Sequence, residues 1–220
     1  MMPARTRVKI CGLTREQDID AAVRAGADAL GFVFYPKSPR MLSTDQAARL
    51  RRRIPAFVQA AGLFVNAQEA FVREILDQVR PDLLQFHGEE SPEQCRLYGH
   101  PYIKAFRAGA PGLDTVEGLY QACLAYPDAQ GWLMDGYHDA YGGTGTAFDA
   151  ELIQGLQQRL AGQSPLPPLI LAGGMRIDNV AQRVALHRPY AIDVSSGVED
   201  APGVKNADKI VQFMQALAQA

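Results

Sequence analysis

The fold of this chain can be worked out from the stretch Arg7-Val8-Lys9-Ile10-Cys11-Gly12-Leu13-Thr14. Its two β-branched residues alternate with two basic ones, a pattern typical of a short buried strand. Gly12 then permits a sharp exit, and Thr14 is placed to cap a following helix. The stretch therefore predicts a strand that carries Cys11 at its carboxyl end, followed by a loop and a helix.

The same order of strand and then helix repeats along the whole chain. The apolar run 29–34 predicts a second strand that is covered on both faces, and residues 35–40 hold two prolines that exclude helix and central strand. Further strands are predicted at 57–65, 83–88, 102–106, 132–135, 168–172 and 190–194. Helices are predicted at 15–25, 44–53, 68–79, from 92 onwards, 113–125, 149–160, 177–186 and from 206 onwards, with a loop at 195–205.

Eight units of strand and helix, with no linker and no change of composition, predict one domain over residues 1–220. Parallel strands that are each followed by a helix are typical of a closed parallel (β/α)8 barrel, the TIM barrel of the α/β class. An open, doubly wound sheet is the alternative fold. That fold would usually place a glycine-rich phosphate turn after its first strand. Here the paired glycines come late in the chain, which favours the barrel.

The composition limits the classes of function. The chain has 220 residues, close to the usual barrel size of about 250. A hydrophobic content of 47% with 21% charged residues is typical of a soluble globular protein. The formal charge of -2 and the absence of a run of lysine and arginine argue against nucleic acid and against an anionic membrane as partners.

Cysteine usage and the N-terminus indicate the compartment. The three cysteines are odd in number and lack metal-type spacing, so neither a disulfide framework nor a zinc site is expected. Cys95 and Cys123 fall on predicted helices, where packing is the simplest role. No apolar segment follows the basic N-terminus, and no run of about 18 apolar residues occurs. We therefore expect a cytoplasmic protein with no export signal and no membrane span.

Two late loops carry the features of a phosphate-binding site. Gly173 and Gly174 follow the seventh predicted strand, and Ser195, Ser196 and Gly197 follow the eighth. In barrels of this class the loops after these two strands often bind phosphate through backbone N–H groups. The pair predicts a phosphorylated small-molecule substrate, although glycines that only make tight turns are the simpler alternative for either loop alone.

Two aspartates, Asp135 and Asp193, lie at or near the ends of apolar strands. A carboxylate in such a position is costly unless it is hydrogen-bonded or functional. The alternative is a helix cap or an ion pair at the barrel top, and it applies more strongly to Asp193. The glycine-rich residues 141–146 that follow Asp135 predict a lid over the site.

Three further side chains are candidates at the mouth of the barrel. Arg40 follows the loop with two prolines and suits bidentate binding of a carboxylate, with a solvated surface arginine as the alternative. His87 leaves the fourth strand and is placed to orient a substrate, with a packed histidine as the alternative. Cys11 is placed at the carboxyl end of a strand, where barrels carry out their chemistry, with a small buried hydrophobic residue as the alternative. Lys9 and Lys104, in the first and fifth strands, belong either to polar layers inside the barrel or to the site.

Taken in order, these motifs resemble those of the phosphoribosylanthranilate isomerase family of tryptophan biosynthesis. Each motif is weak by itself, but the ordered set spans nearly the whole chain. The segments 136–139 and 163–168 depart from the family pattern. The matching segments are 8–12, 31–34, 38–40, 62–66, 84–88, 133–135, 142–145, 171–174 and 193–199.

The resemblance implies an acid–base isomerase that needs neither cofactor nor metal. The reaction is the Amadori rearrangement of N-(5-phosphoribosyl)anthranilate to 1-(2-carboxyphenylamino)-1-deoxyribulose 5-phosphate. The residue matching Asp135 acts as general acid on the furanose ring oxygen, and the thiolate matching Cys11 removes the C2′ proton. Because a free thiol has a pKa of about 8.5, we expect the surroundings of Cys11 to favour the thiolate.

The resemblance also implies how the substrate is held. The residue matching Arg40 binds the anthranilate carboxylate, and the two late loops bind the 5′-phosphate. Asp193 and His87 are assigned to positioning the substrate. The partners expected are thus a phosphorylated small molecule and at most a second copy of the chain, as a monomer or homodimer.

Two other functions are compatible with a barrel of this kind. One is another sugar-phosphate enzyme, such as a relative of indole-glycerol-phosphate synthase or an isomerase with two substrates. The synthase normally relies on lysine and glutamate and requires no thiol. The other is a barrel that binds a phosphorylated metabolite without turnover.

Overall fold

The first strand, β1 (Arg7–Cys11), pairs in parallel with β2 (Ala29–Val33) on one side and with β8 (Ala191–Val194) on the other. This double pairing closes the sheet in the order β1 to β8. The predicted closed parallel (β/α)8 barrel is confirmed, and an open doubly wound sheet is excluded because such a sheet keeps two free edges. The structure, a computed structural model, describes residues 5–136, 149–163 and 165–220.

Each barrel strand is followed by a helix. The remaining barrel strands are β3 (Gln59–Phe64), β4 (Leu83–Phe86), β5 (Tyr102–Ala108), β6 (Gly131–Gly136) and β7 (Leu169–Leu171). The helices are α1 (Glu16–Arg24), α2 (Thr44–Arg51), α3 (Glu69–Gln78), α4 (Pro92–Arg96), α5 (Val116–Leu124), α6 (Ala150–Leu160), α7 (Val180–His187) and α8 (Ala207–Leu217).

The alternation of side chains along the strands divides the core into two layers. In β6, Trp132 and Met134 point outward and pack under the helices, whereas Leu133 points into the barrel. The inner layer is small, because a barrel of eight strands leaves room only for side chains. Asp135 is two residues beyond Leu133 and therefore lies on the inner face, at the carboxyl end of the barrel. The buried apolar residues of the inner layer are Ile103, Ala105, Leu133, Ile170, Ala172 and Ala191.

The segment after β8 contains more structure than the predicted loop at 195–205. A 3₁₀ turn at Ser196–Val198 leads into a hairpin of β9 (Glu199–Ala201) and β10 (Val204–Lys205). Strands of two or three residues are too short to leave an alternating pattern in the sequence.

Thr14 does not cap α1, so that prediction was wrong. The cap position is Arg15, without a side-chain cap hydrogen bond, and the Thr14 hydroxyl instead donates to the carbonyl oxygen of Gly203 in the hairpin. Ser43 and Ser91 cap α2 and α4, each in a capping box with the residue three positions on.

Two predictions concern segments at the limits of the described structure. The predicted lid, residues 141–146, lies outside the described residues. Among the helices that the structure describes, none combines the length and the apolar character needed to cross a bilayer.

Candidate active site

Polar side chains on the inner face of the barrel collect at the carboxyl ends of β1, β4, β6 and β8. In parallel strands these ends meet at one rim, the usual place for the active site of a barrel. All six are buried or largely buried. They are Lys9, Cys11, Gln85, His87, Asp135 and Asp193.

Cys11 is the last residue of β1, with 5% of its surface exposed. Its neighbour in the strand register is Gly31 of β2. A Cβ atom on Gly31 would stand 2.7 Å from the Cys11 sulfur and 3.0 Å from Lys9 Nζ. The glycine therefore leaves the space that the thiol and the ammonium group occupy.

Burial raises the pKa of the Cys11 thiol, and the nearby Lys9 ammonium only partly offsets this. The thiol is therefore the ground state of this site at neutral pH. The expectation that the surroundings as a whole favour the thiolate was wrong, because the sequence does not show how completely the sulfur is removed from water. The stabilisation of negative charge that exists here comes first from Lys9.

Lys9 and Asp193 form a buried ion pair between β1 and β8, with Nζ 3.0 Å from Oδ1. The two residues are also register partners in the sheet. Burial disfavours the charged form of Lys9, but Asp193 and the Cys11 sulfur outweigh it and raise the pKa of Lys9. The ion pair that sequence analysis left open for Asp193 is therefore present, and it lies inside the candidate site.

Asp135 contacts His87 across the mouth, with Oδ2 3.1 Å from Nε2. The other ring nitrogen of His87 lies 3.0 Å from Gln85 Nε2. Gln85 is fully buried in β4, so the contact fixes the ring from below. Asp135 keeps 17% of its side chain exposed, which leaves it accessible from the mouth.

Asp193 connects the two halves of the site electrostatically. Burial raises the pKa of Asp193, and the titratable groups that act on it include Lys9, Asp135 and His87. Cys11 in turn is influenced by Asp193. The thiol of β1 and the carboxyl of β6 thus share a charged neighbour between them.

Arg40 is held at the mouth by a buried carboxylate. Its Nε and Nη2 atoms donate to the two oxygens of Glu199 at 2.9 and 2.6 Å, and Lys205 Nζ donates to the same carboxylate at 2.6 Å. Although burial opposes it, these two cations hold the pKa of Glu199 below its usual value. Within the described part of the chain, no acceptor bonds to Arg40 Nη1, so one edge of the guanidinium stays available.

The approach of Arg40 to β1 requires the glycine at the end of that strand. Gly12 has a φ of +76°, and a Cβ atom there would stand 2.3 Å from Arg40 Cδ. The exit from β1 therefore passes directly under the arginine.

The two predicted phosphate loops are in contact with each other. A Cβ atom on Gly197 would stand 2.0 Å from the carbonyl oxygen of Met175, so the loops approach as closely as glycine allows. Gly173 and Gly174 both have positive φ, 73° and 62°. Their carbonyl oxygens accept hydrogen bonds from Arg183 and Asn179, each at 2.8 Å, whereas their N–H groups bond to no acceptor in the described ranges.

Ser195 connects these loops to the backbone of Cys11. Its hydroxyl donates to the carbonyl oxygen of Cys11 at 3.0 Å, and Lys205 Nζ donates to its carbonyl oxygen at 3.1 Å. Ser196 and Gly197 form the 3₁₀ turn that follows. The predicted site residues are therefore all placed at one end of the barrel.

Three residues of the site, Gln85, Glu199 and Lys205, were not predicted from the sequence. The signal for Gln85 was present, because Gln85 and His87 are two apart on one strand and so share a face. No such signal links Glu199 to Arg40, which lie 159 positions apart in the chain. Lys104 is not at the site: it points outward from β5 and its Nζ lies 3.3 Å from Glu90.

A metal site finds no support in the part of the chain that the structure describes. No group of three or more histidine, cysteine, aspartate or glutamate side chains there could hold an ion. The acids of the site are instead paired with cations or with His87.

The chain is similar to known proteins over almost all of its length. The family model described as N-(5'phosphoribosyl)anthranilate (PRA) isomerase matches residues 8–216. The N-(5'-phosphoribosyl)anthranilate isomerase of Bordetella parapertussis is 59% identical over 213 residues, which are 97% of this chain and 96% of that protein.

Solved structures agree with the sequence comparisons. The crystal structure of phosphoribosyl anthranilate isomerase from Thermotoga maritima matches with a TM-score of 0.84 and 37% identity, covering 98% of this chain and 100% of that one. A crystal structure of such an isomerase in complex with reduced 1-(o-carboxyphenylamino)-1-deoxyribulose 5-phosphate matches with a TM-score of 0.81 and 34% identity, with the same coverage.

Proposed function

The chain belongs to the N-(5'-phosphoribosyl)anthranilate isomerase family, and from this we propose that Cys11 and Asp135 carry the family's reaction in it. The chain is an isomerase of tryptophan biosynthesis. Its reaction is the Amadori rearrangement of N-(5'-phosphoribosyl)anthranilate to 1-(2-carboxyphenylamino)-1-deoxyribulose 5-phosphate. The observation that carries the residue assignment is the placement of both groups on the inner face of one rim.

In the first step, Asp135 donates a proton to the ring oxygen of the ribose. The C1′–O4′ bond breaks as the anilino nitrogen shares its electron pair with C1′, which gives an iminium ion and a hydroxyl at C4′. General acid catalysis of this kind requires a carboxyl within hydrogen-bond reach of the oxygen. Its contact with His87 fixes the Asp135 carboxyl while one side remains exposed to the mouth.

In the second step, the Cys11 thiolate takes the proton from C2′. The electron pair of that C–H bond forms the C1′–C2′ double bond and neutralises the iminium nitrogen, which gives an enolamine. Loss of the proton from the C2′ hydroxyl and protonation of C1′ then give the ketone. The base and the acid are needed in opposite protonation states, and they come from two separate strands, β1 and β6.

The charged groups of the substrate match the cationic and N–H-rich parts of the site. The available edge of Arg40 is assigned to the anthranilate carboxylate. The N–H groups of the loops that contain Gly173, Gly174 and Ser195–Gly197 are assigned to the 5′-phosphate. Asp193 and His87 are assigned to positioning the sugar between Cys11 and Asp135.

The same proposal includes the wider properties predicted from the sequence. The chain works as a single domain over residues 1–220, in the cytoplasm, as a monomer or homodimer, on a phosphorylated small molecule. It requires neither cofactor nor metal, and it binds neither nucleic acid nor membrane.

The test is a turnover assay with freshly made phosphoribosylanthranilate, followed by the loss of its anthranilate-type fluorescence. Cys11→Ser and Asp135→Asn are expected to lower kcat at least about a hundredfold, the usual contribution of a general acid or base. Cys123→Ala, which alters a thiol buried in α5, is the matched control and should keep its kcat. Near-full activity of either site variant would contradict the assignment, and binding without turnover by the unmodified chain would favour the non-enzymatic alternative.

A further inference from the structure

Lys9 and Cys11 lie two residues apart on β1 and therefore point from the same face of the strand into the barrel. Their functional atoms converge at Gly31, where Lys9 Nζ and the Cys11 sulfur both lie within 3.0 Å of the position that a Cβ atom would take. The lysine side chain thus extends from the layer below to the level of the thiol. Its ammonium group hydrogen-bonds to Asp193 and acts electrostatically on the sulfur beside it.

Four charged groups act on the sulfur, from different elements of the barrel. Lys9 belongs to β1, Asp193 to β8, Lys205 to β10, and Arg40 to the loop between β2 and α2. Arg40 and Lys205 both bond to Glu199, which offsets their charge. Lys9 is the cation with the largest effect on the thiol.

Asp193 pairs with the Lys9 ammonium group when the sulfur carries no charge. When Cys11 accepts a proton, the sulfur loses its negative charge, and a buried ammonium group without another partner would then be costly. The bond of 3.0 Å to Asp193 keeps the Lys9 charge paired in both states of the thiol. The lysine therefore remains protonated throughout the cycle and does not compete for the substrate proton.

We propose that Lys9 is a positioning residue whose ammonium group stabilises the thiolate form of Cys11, the form that takes the C2′ proton. This inference rests on the proposed function, in which Cys11 is the base. Lys9 acts through the sulfur, and the proton passes from C2′ to the sulfur with no change in the charge of the lysine.

The direct test is the rate of alkylation of Cys11 by iodoacetamide as a function of pH, in the protein without substrate. Mass spectrometry of the peptide that contains Cys11 separates this thiol from the other two, which are fully buried. An opposite charge at this range shifts a pKa by about one to three units, so Lys9→Met should slow alkylation about tenfold or more at about pH 8. Lys9→Arg keeps the charge and should restore most of the rate.

Lys104→Met is the matched control, because Lys104 is equally buried and paired with Glu90 but does not contact the thiol. Cys11 in this variant should be alkylated as fast as Cys11 in the unmodified protein. Since Lys9→Met leaves Asp193 unpaired and risks misfolding, the comparison is repeated between Asp193→Asn and the double variant Lys9→Met with Asp193→Asn. Removal of Lys9 should slow alkylation there too. Equal rates with and without Lys9 in either background would overturn the inference.

Steady-state kinetics separates this inference from the proposed function. Lys9→Met should lower kcat about tenfold or more, move the acidic limb of the pH profile upward by about one unit, and leave KM little changed. Full activity of Cys11→Ser would refute the function of the thiol while the alkylation result could still stand. An unchanged alkylation profile would refute the role of Lys9 even if Cys11→Ser were inactive.

Discussion

His87 Nε2 lies 3.1 Å from Asp135 Oδ2, while Gln85 Nε2 donates to the other ring nitrogen of His87 at 3.0 Å. Because the amide is the donor, Nδ1 is the acceptor and Nε2 carries the proton that His87 donates to Asp135. A chain of hydrogen bonds therefore runs from the buried interior of β4 to the carboxyl that we assign as general acid. It fixes the direction in which that carboxyl faces.

Replacing His87 should impair the reaction through Asp135. We expect His87→Phe to lower kcat about tenfold or more, because a carboxyl without its fixed partner is less well oriented. The measurement is steady-state turnover, with His100→Asn as control, since His100 bonds to Pro81 and not to the site. In the Asp135→Asn background, His87→Phe should lower kcat by a much smaller factor. An equal reduction of kcat in both backgrounds would show that His87 acts independently of Asp135.

Adding one carbon to Gly31 should disable the thiol without unfolding the barrel. The new methyl group would stand 2.7 Å from the Cys11 sulfur, so the thiol must move. We expect Gly31→Ala to lower kcat at least about tenfold, since small displacements of reacting groups are costly. Gly62→Ala, whose methyl would meet Phe64 and Phe34 in the outer core, is the control in the next strand. Normal turnover of Gly31→Ala would mean that the position of the sulfur is unimportant.

Adding one carbon to Gly197 should weaken phosphate binding. A methyl group there would stand 2.0 Å from the Met175 carbonyl oxygen and would force the two phosphate loops apart. We expect KM to rise about tenfold with a smaller change in kcat, the pattern for loss of uniform binding. Gly99→Ala, at an exposed turn away from the two loops, is the control: its φ of +57° should cost stability but leave KM unchanged. Inhibition by inorganic phosphate should weaken in parallel, and unchanged KM would argue against a phosphate site here.

Glu199 should make the stability of the barrel depend on pH. Its pKa is lower in the folded protein than in the unfolded chain, so its carboxylate stabilises the fold above about pH 4 and this contribution is lost as the pH falls through the folded pKa. Removing one member of a buried charged group costs about 3 kcal/mol, so Glu199→Gln should lower the free energy of unfolding by about that amount at neutral pH. Urea denaturation measures it.

The difference between the unmodified chain and Glu199→Gln should shrink as the pH falls below about 4, because both then carry a neutral group at this position. Asp200→Asn is the control: the bond to Lys209 lowers the pKa of Asp200 as well, but Asp200 is exposed, so its contribution and the change of that contribution with pH should be small. A difference that stayed constant with pH would show that the charge of Glu199 is not what stabilises the loop.

The barrel was predictable because its signals are local. Each strand is a short apolar run and each helix begins or ends at a recognisable residue, such as Ser43, Ser91 and Gly26. The number and order of the strands and helices left few topologies possible. The strand ends in turn predicted which side chains would meet at the rim, Cys11 and Asp135 among them.

What the sequence could not provide is the pairing between distant side chains. Nothing in the sequence indicates that Arg40 bonds to Glu199 or that Lys9 bonds to Asp193. Whether Lys104 points into the barrel or outward depends on one residue of register in β5, since neighbouring positions point to opposite faces. The raised pKa of Cys11 likewise depends on burial in three dimensions.

A crystal structure of this chain with reduced 1-(2-carboxyphenylamino)-1-deoxyribulose 5-phosphate tests the central claim most directly. We predict the Cys11 sulfur at about 3.5 Å from C2′ and an Asp135 oxygen within hydrogen-bond reach of the C4′ hydroxyl, with the phosphate on the N–H groups of Gly173, Gly174 and Gly197. A ligand whose C2′ faces away from the sulfur, or whose sugar lies beyond the reach of Asp135, would contradict it.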